Sequence, residues 1–147
     1  MSKSLSFRLF GLGGIPKKAR PILEAEEILV SDEGMKGRFV ARNVKGPGKR
    51  YIRKIEGFSG CLVITKKRIV CYSYGKRQIH IAADDPKLSN LYVDMPGTHT
   101  LSISFESSLF QQGWEGVIEF RFHTEEAGPF HDLLLSLGAQ QGHADKG

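Results

Sequence analysis

Two periodicities divide this chain. Between Met35 and Thr124 apolar residues recur at every second position. In KGRFVARNV, Phe39 and Ala41 fall on one face and Val40 on the other. In TLSISF, Leu101, Ile103 and Phe105 point one way and the serines the other. In GVIEFRFHT, Ile118, Phe120 and Phe122 share a phase opposite to Val117. Alternation of this kind is the mark of a strand with one buried face. At Phe130 the spacing changes. Phe130, Leu133, Leu134 and Leu137 fall at i, i+3, i+4 and i+7, one apolar stripe of a helix. The order predicted is about seven short strands and then one helix: a mainly β protein, built as a bent antiparallel sandwich or barrel closed at one end by a C-terminal helix.

The strands are read as KGRFVARNV, GCLVIT, RIVCYSY, RQIHIA, LYVDM, TLSISF and GVIEFRFHT, with YIRKIEGF as an extension of the neighbouring strand. KGPGKR, residues 45–50, reads as a loop, and PILEAEEILVSDEG as an acidic segment with a turn or two of helix ended by Gly34. Thr124 is a candidate cap for the final helix, Pro129 fits its first position, and Gly138 its stop. AQQGHADKG reads as a frayed tail. At the other end, Leu5, Phe7 and Leu9 alternate as a short strand before the joint GLGG. A chain of 147 residues fits one domain. The expected division is an N-terminal extension 1–20, a domain 21–138 and a tail 139–147.

GCLVITKKRIVCYS carries the most detailed expectation. If Lys66-Lys67 is a two-residue turn, Leu62 pairs with Cys71 and Cys61 with Tyr72. Cys61 and Cys71 then face opposite sides of the sheet and cannot bridge. Both read as small buried hydrophobes, in keeping with a reducing compartment.

The same hairpin resembles the signature of the GRAM and bacterial PH-like families: a small residue, an apolar strand ending in Thr, a polar turn, then Arg and a second apolar strand. Here those residues are Gly60, Leu62, Ile64, Thr65, Arg68, Ile69 and Tyr72. ILEAEEIL resembles the Leu-x-x-Gly-Glu-x-Ile segment of those families, with Ala25 where Gly is usual. FHDLLLSL resembles their C-terminal helix. The resemblance covers roughly residues 22–137 and implies a PH-like fold: a bent seven-stranded sheet plugged by a helix. It implies a binding module rather than an enzyme, for phosphoinositides, proteins or other partners.

Charge gives the functional expectation. Residues 36–77 hold 13 of the 21 Lys and Arg against a single acid, Glu56. That segment is +12, which leaves −7 for the rest of a chain of net charge +5. Such asymmetry favours an anionic partner. In PH domains the loop between the first strands supplies basic residues to a lipid headgroup. By that resemblance the anionic-ligand candidates are Lys45, Lys49 and Arg50, with Arg42 and Arg53 beside them. Lys66 and Lys67, at the hairpin turn, are further candidates. The expected partner is an anionic phospholipid or an acidic protein surface. The alternative is a protein-interaction or homo-oligomer assembly domain, with LSFRLF adding as a strand to a neighbour. Nucleic acid is disfavoured, because aromatic residues are not interleaved as a stacking platform.

Signals for chemistry are weak. The five histidines form no HExxH and stand at no metal spacing to a cysteine, so neither a metal nor a cofactor is expected. His80 and His123 read as strand histidines of the barrel. Asp84-Asp85 reads as a turn initiator. Trp114, the only tryptophan, reads as folding back on the barrel; if its loop is exposed, the alternative is entry into a membrane interface with Leu109 and Phe110. The N-terminus has no apolar core of signal-peptide length, and no run of about 18 apolar residues occurs. The expected location is cytoplasmic, with visits to a membrane surface.

Overall fold

The computed structural model describes residue 3 and residues 13–144. The first element is a short helix, α1 (Arg20–Ala25), with Leu23 buried. Strand β1 (Ile28–Gly46) and strand β2 (Lys49–Thr65) follow as one long hairpin. Then come β3 (Arg68–Ser73), β4 (Lys76–Ala82), a 3-10 turn over Pro86–Asn90, β5 (Tyr92–Gly97) and β6 (Thr100–Glu106). A second 3-10 turn at Ser107–Leu109 precedes β7 (Glu115–His123), helix α2 (Ala127–Leu137) and a two-residue strand β8 (Gln140–Gln141).

All eight strands belong to one curled sheet in the order β4-β3-β2-β1-β7-β6-β5-β8. The sheet makes a half-barrel, and α2 is the single C-terminal helix, so the mainly β architecture with a terminal helix stands as expected. β1 is the strand shared by both halves. It pairs with β2 along one edge, from Ile28↔Thr65 to Gly46↔Lys49, and with β7 along the other, from Gly37↔Phe122 to Lys45↔Glu115.

The concave face holds the main core. Met35, Leu62, Ile64, Ile69, Leu101, Ile103 and Phe122 are each at most 2% exposed there. Phe130 and Leu134 of α2 enter the same core, as the leucine stripe requires. Phe58 and Phe120 meet edge to face at 5.8 Å, and Phe39 meets Phe120 at 5.3 Å, so an aromatic row crosses from β2 over β1 to β7. Gly37 leaves room for it: a Cβ there would stand 2.3 Å from the Phe58 ring. On the convex face a smaller core joins Cys61, Val63 and Val70 to Leu23 of α1 and to Ile15.

The register of the 60–73 hairpin is the one expected, with Leu62 opposite Cys71 and Cys61 opposite Tyr72. Cys61 lies in the convex core and Cys71 in the concave one, and both are free thiols. Burial pushes the Cys61 thiol up to about 12 and that of Cys71 well above its ordinary value.

Four expectations change. Residues 45–50 are not a loop, because both strands run to the tip and leave only Pro47-Gly48 to turn, with Gly48 at φ 72°. The acidic segment 21–34 is helical only to Ala25, and β1 has begun by Ile28. Helix α2 starts at Ala127, not Pro129, and Thr124 turns the chain before it by accepting the Glu126 N–H at 3.0 Å. Gly138, at φ 126°, does end it.

The fourth change is the tail, which is docked rather than frayed through Ala144. Gln140 N–H donates to Leu91 O at 2.8 Å, Gly142 N–H to Val93 O at 2.9 Å, and Ala144 N–H to Ser104 Oγ at 2.9 Å. The expected strand at Leu5, Phe7 and Leu9 lies outside the described residues.

Candidate functional site

The distal part of the β1–β2 hairpin is an arm. β3 accompanies β2 only from Gly60, which pairs with Ser73. Beyond that point β2 continues through Lys49–Phe58 with β1 alone beside it. Inward side chains of β1 are Met35, Phe39 and Ala41, members or close neighbours of the core. Alternation therefore sends Lys36, Arg38 and Arg42 to the convex side.

Register puts like charges face to face along this arm. Lys45 stands opposite Arg50, Arg42 opposite Arg53, and Arg38 opposite Arg121 of β7. Directly opposed residues have Cβ atoms about 5 Å apart, and like charges there destabilise the pair. Lys45, Lys49, Arg50 and Arg53 are all exposed. Ile52, between Arg50 and Arg53, is 76% exposed, the most exposed large apolar side chain described. Local acids are few: Glu115 lies across from Lys45, and Glu56 is 3.6 Å from Lys54.

Arg42 differs from the other candidates. Its guanidinium is 3.6 Å from Glu119, whose side chain is fully buried. Glu119 Oε2 accepts from Ser102 Oγ and from Arg121 Nε, both at 2.7 Å, and Oε1 lies 3.1 Å from His143 Nε2. Burial alone would raise this carboxyl. The bonds from Ser102, Arg121 and His143 outweigh that and hold it below its ordinary value. Arg42 thus serves a structural ion cluster. Ser102 and Ser104, expected outward, are both buried: Ser102 bonds Glu119, and Ser104 accepts from Ala144 of the docked tail. Sequence reasoning missed Glu119, whose only trace is an acid in the apolar run VIEFRF.

Lys66 and Lys67 lie far from the arm tip. Successive turns of an antiparallel meander fall at opposite ends of the shared strand. β2 separates them by its whole length, about 50 Å at ~3.3 Å per residue if straight. The fold does not bring the two basic groups into one site. Lys66 Nζ is 3.0 Å from Glu27, and the backbone N–H groups of Lys67 and Arg68 both donate to Thr65 Oγ1 at 3.1 Å. Thr65 Oγ1 also contacts Glu26 Oε1 at 2.9 Å, while Arg68 Nε donates to the same oxygen at 2.9 Å and Arg68 NH2 to Oε2 at 2.5 Å. This end of the hairpin is fastened to the α1–β1 connection. Burial works against the Glu26 charge, but Arg68 and Thr65 hold its carboxyl below the ordinary range.

The remaining candidates are quickly placed. His80 and His123 are exposed on their strands rather than buried in the barrel. Partial burial and the nearby Arg77 and Arg68 push His80 down. Trp114 is half-buried against the core, with its ring over Gly46, where a Cβ would stand 2.2 Å from it. Among the described residues no group of three or more His, Cys, Asp or Glu is placed to hold a metal ion, and no helix is long and apolar enough to cross a membrane.

Compared with known proteins, the chain matches no family model and no curated protein sequence.

Proposed function

We propose that the protein is a non-enzymatic, PH-like binding module that recognises anionic surfaces, membranes rich in acidic phospholipid above all, through the β1–β2 arm. The observation that carries this reading is the register of like charges. Lys45 stands against Arg50, with the exposed Lys49 and Arg53 on the same strand as Arg50, and like charges so opposed repel each other. An anionic surface relieves that repulsion, and each basic residue held near one contributes about 1 kcal/mol. Lys45, Lys49, Arg50 and Arg53 would hold the headgroups, and Ile52 would enter the interface between them. Lys66 and Lys67 have no part in this contact, because they sit at the other end of β2.

Co-sedimentation with vesicles tests the reading. Neutral phosphatidylcholine vesicles should leave the protein in the supernatant. Vesicles containing phosphatidylserine or a phosphoinositide should pellet it at low salt and release it as ionic strength rises. Equal pelleting with neutral and acidic vesicles would remove the proposal.

A further inference from the structure

The free edge of β2 points to a second kind of partner. Its last bond to the β3 side runs from Tyr74 N–H to Ser59 O at 3.2 Å. Upstream of that, Lys49–Phe58 has β1 on one edge, and among the described residues no strand lies on the other. A strand edge of this length is a template for main-chain pairing. Beside it, where β3 turns away into β4, lies a groove of about 410 Å³ whose lining includes Phe39, Phe58, Tyr74 and Gln78. The groove shares Phe39, Gln78 and Phe120 with a cavity of about 120 Å³ that reaches Phe105 and Phe110. Among the described residues the half-barrel is thus open along the stretch where β2 has no second neighbour.

We infer that this edge and groove dock an extended acidic segment of a partner protein, which joins the sheet as a strand beside Lys49–Phe58. An unpaired edge selects an extended backbone, because only that places N–H and C=O groups at the strand repeat. The phenylalanine floor takes the apolar side chains at alternate positions. The rim selects charge: Lys54 and Lys76 line the groove. The groove lining holds one acid, Glu56, which is 3.6 Å from Lys54. A basic segment would meet these cations and be repelled, so the N-terminal LSFRLF of a second copy is the poorer occupant. The inference does not rest on the membrane reading, since it uses the edge and the groove rather than the tip.

Fluorescence anisotropy on the full chain tests it, with a short blocked peptide that alternates Glu with Val and Phe. Two control peptides carry Lys in place of Glu, or N-methyl groups on alternate amides. The expected result is saturable binding of the acidic peptide, with both controls weaker by about tenfold or more. The double substitution Lys54→Glu, Lys76→Glu should weaken the acidic peptide by a similar factor. Both side chains are at the surface, so an unchanged thermal transition will show that the variant folds. Equal binding of the N-methylated peptide would overturn strand addition. Binding of acidic vesicles with no binding of any peptide would overturn this inference and leave the membrane reading standing. Loss of vesicle binding alone would do the reverse.

Discussion

The convex face of this sheet has two halves that treat charge in opposite ways. Over β6 and β7 the tail beyond β8 reaches Ser104 and Glu119, and the buried Glu119 is surrounded by Ser102, Arg42, Arg121 and His143. Over the arm nothing described covers the strands, and basic side chains face one another across the ladder. One half satisfies its charges internally, as buried groups must. The other sets like charges opposite one another, Lys45 against Arg50, at some cost in stability. The contrast separates residues that hold the fold from residues held ready for a partner. Both kinds occur among the 13 basic residues that look alike in the sequence.

The largest effect should come from reversing the arm. Lys49→Glu, Arg50→Glu and Arg53→Glu together should weaken binding to acidic vesicles by about four orders of magnitude, at about 1 kcal/mol for each charge lost and again for each reversed. Chemical denaturation of this variant should be nearly unchanged. A large loss of stability would break the comparison.

Glu119→Gln should do the opposite. Removing the charge leaves the Arg42 and Arg121 guanidiniums around a neutral amide, and a loss of about 2 kcal/mol is expected, discounted because both are partly in water. Vesicle binding should stay within twofold of the native value, roughly the scatter of additive, distant sites. The pH dependence has a definite sign. Glu119 titrates below its ordinary value in the folded state, so its contribution is present at neutral pH and lost as pH falls through that depressed value. The native protein should therefore lose more stability than Glu119→Gln between neutral pH and pH ~3. Parallel curves would show that the cluster does not stabilise the fold.

Ending the chain after Gly138 should cost less, about 1–2 kcal/mol, for the backbone bonds to Leu91 and Val93 and the contact of His143 with Glu119. A melting temperature equal to that of the full chain would mean the tail is idle. The smallest effect is Arg53→Glu alone. It converts the Arg42–Arg53 repulsion into an attraction and should stabilise the protein by a few tenths of a kcal/mol. The same change should weaken vesicle binding. Stability and binding moving in opposite directions at one residue would sharpen the comparison most.

Much of the architecture was legible in the sequence, because period two and a two-residue turn leave little freedom. Leu62 opposite Cys71 follows from those facts alone, and so does the placing of the two thiols on opposite faces. The length of the arm was not legible. Lys, Arg, Gly and Pro at 45–50 lack strand preference, and only pairing with β1 and β7 carries the strands to Gly46 and Lys49. Strand β8 was hidden for the same reason: Gln140-Gln141 has no pattern, and its partner Tyr92 is distant in sequence. The basic candidates were visible as a cluster, but not their division. Arg42 reads like Arg53 until the register shows Glu119 beside one of them. The separation of Lys66 and Lys67 from the tip needed only topology, since consecutive hairpin turns alternate ends.

The dual membership of β1 also bears on how the chain reaches this state. Its ladder with β2 is local and can form as soon as both strands exist. Its ladder with β7 joins Arg38 to Arg121 and must wait for most of the chain. During synthesis β1 to β4 would stand complete while the other edge of β1, with Phe39 and Met35 beside it, remains open. Pulsed hydrogen exchange should find amides of the β2–β3 hairpin protected before those of β7. Simultaneous protection would mean that the two halves of the sheet close together.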